Sequence, residues 1–318
     1  MSKDLICSKE DIQVDSELSS LSSLSSLSSL SSLSSLSSSP SIIPFSVLDP
    51  NHPMVGEQLK RKILHDRYSQ QLITDGIETG NLSLGPEGKV HMRTNLNFSS
   101  FLGLVLESYC VDEINKNKDV LLTNILRWAT GTRFTKEKVK EYFAIGTGFK
   151  STREQYQRYY NPQDNIDILF LRRLGEVNSY EPAVERGTTN SAGVQIKAIT
   201  TNLNEQIIQP LLDGKYNRVL TLLTYPNGKH TYDQCMDIIR EKYNKGQMTI
   251  ENYNLLQGAI ISPSHIGLDQ VTINNYVQYV YYWFHGQAPG NNSHLENAVG
   301  LEIQGFKMKN GILVPSDA

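Results

Sequence analysis

The sequence predicts a mixed α/β protein, because strand-like and helix-like patterns alternate along its 318 residues. Two short aliphatic and β-branched runs, 166–170 and 192–199, are bounded by turn-forming residues and are typical of buried strands. Amphipathic periodicity before and after them predicts helices at 99–117 and 232–245. An Asn310–Gly311 pair between alternating residues predicts a hairpin near the C-terminus.

The composition describes an ordinary globular protein with enough residues for a sizeable core. The hydrophobic content is 39% and the net charge is −3, so any basic surface is expected to be local. The three cysteines, Cys7, Cys110 and Cys235, are widely spaced and form no CxxC pair, which favours a reducing compartment. We therefore expect a cytoplasmic protein.

The first 41 residues differ from the rest of the chain. Leucine recurs at every third position from Leu18 to Leu36, with two serines between neighbours. This period matches neither helix nor strand and predicts a disordered tail, with an interaction or localisation segment as the alternative. The tail is too polar to span a bilayer and lacks the apolar run of a signal peptide, so no membrane partner is expected. The predicted organisation is a tail at 1–41, an N-terminal helical or recognition region at 42–95, an α/β core at 96–230, and a C-terminal helical and hairpin region at 231–318.

Local patterns predict the elements on either side of the two strands. An amphipathic helix is expected at 54–74 and a turn-rich loop at 76–88, and Ser99 or Ser100 is the candidate cap of the helix at 99–117. Later segments predict a short helix at 204–212, a strand at 218–225 and a further helix at 249–261. The tyrosine-rich segment 271–284 is expected to be helix or strand, and its aromatic residues are expected in the core or at an oligomer contact, with a base-stacking surface as the alternative.

Polar residues interrupt both predicted strands. Asp167 lies in the first strand, and Gln195 and Lys197 lie in the second, two residues apart. Because side chains alternate in a strand, Gln195 and Lys197 are expected to share one face. A lysine in a buried strand is costly unless an acid, a metal or a phosphate compensates it. The pattern therefore indicates a divalent-metal site beside a phosphate.

This arrangement resembles the PD-(D/E)xK nuclease superfamily, in which an Asp-bearing strand, a hairpin and a strand carrying (Glu/Asp/Gln)-x-Lys follow one another. The resemblance covers roughly residues 96–225. It implies a restriction-endonuclease-like core with a mixed central sheet flanked by helices. Two features depart from the pattern: Pro162 lies five residues before Asp167 rather than next to it, and Gln195 replaces the commoner acid.

The resemblance also implies roles for particular residues. Asp167, Gln195 and Glu107 would hold Mg²⁺, with Glu107 supplied by the helix that precedes the Asp-bearing strand. Lys197 would orient or help deprotonate the attacking water and stabilise negative charge. The implied function is a Mg²⁺-dependent DNA endonuclease, with a type II restriction enzyme the leading member.

Several alternatives stay open at the level of sequence. Glu107 could face solvent on an amphipathic helix, and Asp164 could replace Asp167. Asp167 could instead cap a turn or form a buried ion pair with Lys197. The carboxylate that Gln195 lacks could come from the intervening segment, which contains Glu176, Glu181 and Glu185.

A local basic surface is predicted between residues 133 and 160, where cations are interleaved with aromatic residues. Cations neutralise phosphates and aromatic rings stack on bases, so this segment is the candidate DNA contact. The alternative is an ordinary helical surface. The candidate DNA-binding residues are Lys136, Lys138, Lys140, Lys150, Arg153 and Arg158.

Two other classes of function remain for this chain. One is a catalytically inactive nuclease-like module that binds DNA or a protein, which the Gln195 departure favours. The other is an interaction protein, which the serine-leucine tail and the acidic net charge favour. For the nuclease, the expected partners are double-stranded DNA and a second copy of the chain, because a symmetric dimer fits cleavage of both strands.

Overall fold

The structure is a computed structural model that describes residues 48–53, 55–85, 90–175 and 179–288, together with the backbone of strands at 306–309 and 312–315. These residues belong to one compact unit, Phe45–Ala318. The predicted tail at 1–41 lies outside the described residues, and so do Cys7 and Glu176.

Helices and strands alternate along the described chain. π-helical turns at Lys118–Leu122 and Asn204–Ile208 run directly into the third and sixth α-helices, and a 3-10 turn lies at Gln157–Tyr159. In chain order the elements are α1 (Glu57–Glu78), β1 (Leu82–Leu84), β2 (Val90–Met92), α2 (Phe98–Lys116), α3 (Thr123–Thr130), α4 (Lys136–Lys140), β3 (Tyr142–Gly146), α5 (Lys150–Gln155), β4 (Ile168–Arg173), β5 (Tyr180–Pro182), β6 (Gly193–Lys197), α6 (Gln209–Leu212), β7 (Val219–Thr221), α7 (Thr231–Asn244), α8 (Ile250–Ala259), β8 (Ile260–Ile261), α9 (Pro263–Ile266), α10 (Gln270–Phe284), β9 (Phe306–Lys309) and β10 (Ile312–Pro315).

The centre of the molecule is a mixed sheet with the strand order β3-β4-β6-β7-β8, and β5 pairs with β4 outside that path. The β3–β4, β4–β5 and β4–β6 pairs are antiparallel, whereas β6–β7 and β7–β8 are parallel. The parallel pairs require crossover connections, which α6 and the α7–α8 pair provide. The predicted α/β class with a mixed central sheet is therefore confirmed.

Helices cover both faces of this sheet. The main core joins α1, α2, α3 and α10 to one face, which contributes Ile168, Val194 and Leu220. A second cluster packs α6, α7 and α8 against Val219 and Ile260. Since neighbouring residues of a strand point to opposite faces, Val219 and Leu220 mark the two sides of the sheet.

Helix α2 is the central helix of the main core, with nine buried residues that include Phe101, Leu106 and Ile114. Its cap is Asn97, whose side chain accepts a hydrogen bond of 2.9 Å from the Ser100 N–H. The expectation of Ser99 or Ser100 as the cap is wrong because the helix begins earlier, at Phe98. An asparagine in extended backbone satisfies a free N–H of the first turn equally well.

The region between α1 and α2 also differs from the prediction. Helix α1 continues to Glu78, so Gly76 lies in its last turn instead of opening a loop, and Leu82–Leu84 pairs with Val90–Met92. A Cβ on Gly76 would lie 2.3 Å from the Cδ1 atom of Leu82. The glycine is therefore needed for close packing of the following strand, a reason that the sequence pattern does not reveal.

The C-terminal part of the chain contains helices α8 and α10 and the β9–β10 hairpin. The tyrosine-rich segment is helix α10, which Asp269 caps, and Tyr276, Tyr279 and Trp283 are fully buried, so their assignment to the core is confirmed. The segment at 249–261 is helix α8 followed directly by strand β8. The hairpin is confirmed, because β9 and β10 pair antiparallel with Lys309 opposite Ile312. None of the helices in the described ranges has both the length and the apolar character needed to span a lipid bilayer.

The cap of α2 gives a direct test of the fold. Asn97→Ala should lower the free energy of unfolding by about 1 kcal/mol, because the Ser100 N–H loses its acceptor. Ser99→Ala, an exposed position in the same turn, should change it by less than about 0.5 kcal/mol. Urea unfolding followed by circular dichroism measures both, and the opposite ranking would place the helix start at the serines.

Candidate active site

Asp167 lies where strands β4 and β6 separate, and we call this point, around Asp167 and Gln195, the fork. It comes directly before β4, and the β4–β6 ladder ends at the pair Ile168–Val194. The Asp167 N–H still donates to the Val194 carbonyl at 3.1 Å, but the next N–H of β6, that of Ile196, donates to the Asp167 Oδ2 atom at 2.7 Å. A side-chain carboxylate thus takes the place of a backbone partner where the strands separate.

Gln195 is the direct neighbour of Asp167. Continuing the register of Ile168 with Val194 places Asp167 opposite Gln195, and the Gln195 Nε2 atom donates to Asp167 Oδ2 at 2.6 Å. The other atom of the amide, Oε1, is buried and has no hydrogen-bond partner among the described residues. A buried carbonyl oxygen without a donor is unfavourable unless a ligand completes it.

Lys197 lies two residues further along β6. Val194, Ile196 and Ala198 belong to the main core, so Gln195 and Lys197 share the opposite face, as predicted. The Lys197 Nζ atom lies 3.3 Å from the Tyr216 hydroxyl and 4.7 Å from the centre of its ring. It makes no ion pair within 4 Å in the described chain, so the alternative of a direct Asp167–Lys197 pair is not observed.

Glu107 approaches the fork from helix α2. Its side chain keeps some exposure and forms no hydrogen bond or ion pair with the described residues, yet its charge interacts with those of Asp167 and Lys197. Burial and the negative charge of Asp167 raise the pKa of the Glu107 carboxyl well above its ordinary value, and Lys197 acts in the other direction. The alternative of a fully solvated helix glutamate therefore does not describe this residue.

The pKa of Asp167 is also raised, from 3.8 to about 6. Burial is the main cause; the Ile196 N–H, the charge of Lys197 and the Gln195 amide lower it again, and Asp164 raises it slightly. Two neighbouring carboxylates with raised pKa values repel each other when both are ionised, and a bound cation relieves that repulsion.

Three groups around Asp167 have oxygen atoms that are not used in hydrogen bonds. Both hydrogen bonds to the Asp167 side chain end on Oδ2, so Asp167 Oδ1, the Gln195 Oε1 atom and the Glu107 carboxylate accept no hydrogen bond from the described residues. Oxygen ligands of this kind suit Mg²⁺. Only two of the three groups are acids, and no cluster of three or more His, Cys, Asp or Glu side chains suited to a metal occurs in the described ranges. The set depends on the amide of Gln195.

The other acids considered from sequence have different surroundings. Asp164 is exposed outside β4, Glu181 pairs with Arg172 at 2.8 Å, and Glu185 accepts a hydrogen bond from Asn217 at 2.8 Å. Glu176 lies outside the described residues. Glu107 and Asp167 are therefore the acids that the described structure brings together.

The six predicted DNA contacts lie on two helices and a 3-10 turn. Lys136, Lys138 and Lys140 lie on α4, before β3, Lys150 and Arg153 lie on α5, after it, and Arg158 lies in the turn that follows α5. Lys138 pairs with Glu141 at 3.1 Å, and the Arg158 guanidinium lies 5.8 Å from the centre of the Tyr159 ring. Their contact with DNA stays a prediction.

The group on α5 lies near the fork. The Thr147 N–H donates to the Asp167 carbonyl at 3.0 Å, and Gly148 lines a cavity of about 560 Å³ with Arg93, Lys150 and Arg153. We call this the α5 cavity. Its acid, Glu78, accepts hydrogen bonds from the N–H and hydroxyl of Ser151, and Lys150 pairs with Glu154 at 3.9 Å. Arg93 and Arg153 are the lining cations that form no ion pair in the described chain.

Sequence reasoning missed Arg93 and Tyr216. Arg93 follows the small β1–β2 hairpin, and Tyr216 lies in the loop before β7. Neither belongs to a motif, and both reach the site through tertiary packing across many residues of chain.

Comparison of the chain with protein-family models, curated proteins and solved structures finds no match.

The carboxylates at the fork give a test that needs no activity. The pKa of Asp167 is about 6 in the folded protein and 3.8 as its ordinary value, so the ionised carboxylate opposes folding. The resulting loss of folding free energy is absent below pH 3.8, where Asp167 is protonated in both states, and complete above about pH 6, where it is ionised in both. Asp167→Asn should therefore raise stability near pH 7.5 by about 1–3 kcal/mol, and the gain should vanish towards pH 4.

Thermal unfolding with and without Mg²⁺ completes this test. Mg²⁺ should raise the melting temperature of the wild type by a few degrees and leave that of Asp167→Asn unchanged. Glu251→Gln, which removes an exposed carboxylate of helix α8, is the control and should keep the Mg²⁺ response. An equal response in the wild type and Asp167→Asn would exclude a cation at the fork.

Proposed function

We propose that this protein is a Mg²⁺-dependent DNA endonuclease of the PD-(D/E)xK type, with a type II restriction enzyme the leading member. The observation that carries the proposal is the fork: Asp167 bonded to Gln195, unpartnered Glu107 beside them, and Lys197 on the same strand face as Gln195. These groups come from three separate parts of the chain, and the charge of Glu107 interacts with those of Asp167 and Lys197.

The order of elements supports the proposal. In the superfamily a helix precedes the Asp-bearing strand, and a hairpin, the Lys-bearing strand, a helix and a strand follow. Here α2 precedes the β3–β4 pair, and β6, α6 and β7 come next in the chain. The small β5 pairs with β4 within the connection to β6. Local pattern and global arrangement agree, which favours this assignment over one based on the motif alone.

The residues at the fork would divide the work of phosphodiester hydrolysis. Mg²⁺ would lower the pKa of an attacking water and neutralise charge on the phosphate. Asp167 Oδ1, Gln195 Oε1 and Glu107 would hold it. Lys197 would orient the water, assist its deprotonation and stabilise the negative charge that develops on the phosphate. The Ile196 N–H and the Gln195 amide would keep the Asp167 carboxylate in one orientation.

The DNA would be held mainly by charge. The cations of the α5 cavity lie next to the segment that bonds to Asp167, so they would contact the phosphates nearest the cleaved bond. Lys136, Lys138, Lys140 and Arg158 would make more distant contacts. A symmetric dimer would cut both strands, and the restriction role would place the protein in the cytoplasm.

A second candidate function is favoured by one contact. The Gln195 Nε2 atom donates to Asp167, so the pair is stable without a metal, as expected of a nuclease-like module that only binds DNA or a protein. The orphaned Gln195 Oε1 and the unpartnered Glu107 favour the nuclease instead.

Cleavage of plasmid DNA with Mg²⁺ or EDTA separates the two functions. The wild type should cut with Mg²⁺ alone, and Lys197→Ala should reduce the rate by about 10²-fold or more, because a charge at the reacting phosphate is lost. Lys245→Ala, which removes an exposed lysine paired with Glu241, is the control and should cut normally. Salt-sensitive DNA binding without metal-dependent cutting would select the binding module.

Tyr216 provides a second test of the site. Its hydroxyl and ring hold the Lys197 ammonium, so Tyr216→Phe should lower kcat by about 3- to 10-fold and change KM little. The ring remains, so packing against the second cluster and the melting temperature should be unchanged. Tyr232→Phe, in the same cluster, is the control. A parallel loss of stability in Tyr216→Phe would mean that the hydroxyl has only a structural role.

A further inference from the structure

A second basic cavity lies at the other end of the β3–β4 pair. It has a volume of about 640 Å³, within the range of small-molecule sites, and we call it the β3–β4 cavity. The residues that matter in its lining are Lys118, Lys140, Arg172, Arg173, Phe143 and Tyr156. It combines four cations with two aromatic rings.

One acid, Glu141, lines this cavity, Glu181 lies near it, and both form ion pairs. Glu141 lies 2.9 Å from the Arg172 Nε atom and 3.1 Å from the Lys138 Nζ atom. Glu181 lies 2.8 Å from the other end of the Arg172 guanidinium. These contacts orient Arg172 and satisfy both carboxylates, so they do not compensate the remaining cations.

The remaining cations are free to bind an anion. Lys140 and Arg173 are exposed and form no ion pair with the described residues. Lys118 donates one hydrogen bond to the Tyr142 carbonyl at 3.1 Å, and an ammonium has two further N–H groups. Three positive charges from α2–α3, α4 and β4 therefore converge on one concavity, and an anion of more than one charge fits them.

The aromatic side of the cavity indicates more than a simple anion. Phe143 and Tyr156 are half-buried with ring centres 5.4 Å apart, and Tyr180 meets them edge-on at 5.6 and 5.0 Å. Tyr180 braces the two rings from one side, while both line the cavity. Planar rings beside cations match a ligand with a flat π-system and a phosphate.

The cavity is separate from the fork. The β3–β4 register places Tyr142 opposite Arg172 at this end and Gly146 opposite Ile168 at the other. Arg172 is five residues from Asp167, which is about 17 Å along a strand. A mononucleotide cannot reach both places.

We infer that the β3–β4 cavity binds a nucleotide, with the phosphate on Lys140, Arg173 and Lys118 and the base against Phe143 and Tyr156. The nucleotide is a free molecule or one unit of a nucleic-acid strand, and both present the same chemistry. The site uses no residue of the fork, and Lys140 is the residue that it shares with the proposed DNA contacts. Loss of cleavage at the fork would therefore leave this inference standing.

Calorimetric titration with adenosine 5′-monophosphate, inorganic phosphate and a short single-stranded DNA tests this inference. All titrations contain EDTA and use Asp167→Asn, so that neither metal at the fork nor cleavage contributes. The nucleotide should bind at least about fivefold more tightly than phosphate, because stacking adds to the charge interaction. Arg173→Ala and Lys140→Ala should each weaken it about fivefold or more.

A control variant and a change of one aromatic ring separate nucleotide binding from simple anion binding. Lys245→Ala removes an exposed cation, paired with Glu241, that does not line the cavity, and it should leave binding unchanged. Phe143→Leu should abolish the preference for nucleotide over phosphate. Strand binding that Arg173→Ala weakens, with no binding of the free nucleotide, would identify the strand as the source. Equal binding of nucleotide and phosphate, or binding insensitive to Arg173→Ala and Lys140→Ala, would overturn the inference.

Discussion

The hydrogen bond from the Ile196 N–H to the Asp167 carboxylate is the contact on which the candidate site depends. It ends the β4–β6 ladder and supplies the partner that the strand N–H would otherwise lack where the strands separate. By accepting this bond and that of Gln195 on one oxygen, Asp167 is held in a single orientation with its second oxygen available. One side chain therefore satisfies the Ile196 N–H and keeps its own second oxygen free of hydrogen bonds.

The fork also concentrates unfavourable charge. Burial raises the pKa values of Asp167 and Glu107, and each residue would be easier to fold as an amide. Asp75 makes a useful comparison, because burial raises its pKa to about 6 as well. The Tyr276 hydroxyl donates to Asp75 at 2.5 Å and Gln71 donates to both of its oxygens, so its partners are complete. Asp167 Oδ1 and the Glu107 carboxylate accept no hydrogen bond from the described residues, so the partners of these two acids are not complete in the same way.

Basic residues gather in two cavities of the fold. The α5 cavity contains Arg93 and Arg153, and the β3–β4 cavity contains Lys140 and Arg173; these four cations form no ion pair in the described chain. A net charge of −3 conceals both cavities, because acids elsewhere offset them. The total charge of a chain therefore does not reveal where its local basic surfaces lie.

The sequence by itself determined the α/β class, the two site-bearing strands to within about three residues, the shared face of Gln195 and Lys197, and the C-terminal hairpin. These features follow from side-chain alternation and turn chemistry, which act between neighbours in the chain. It did not determine the cap of α2, the packing reason for Gly76, or the contacts of Arg93 and Tyr216. Only the tertiary structure decided these, and it also decided that the charge of Glu107 interacts with that of Asp167. Contacts of that kind join residues far apart in sequence, so no local pattern encodes them, and packing of the helices against the sheet sets which side chains meet.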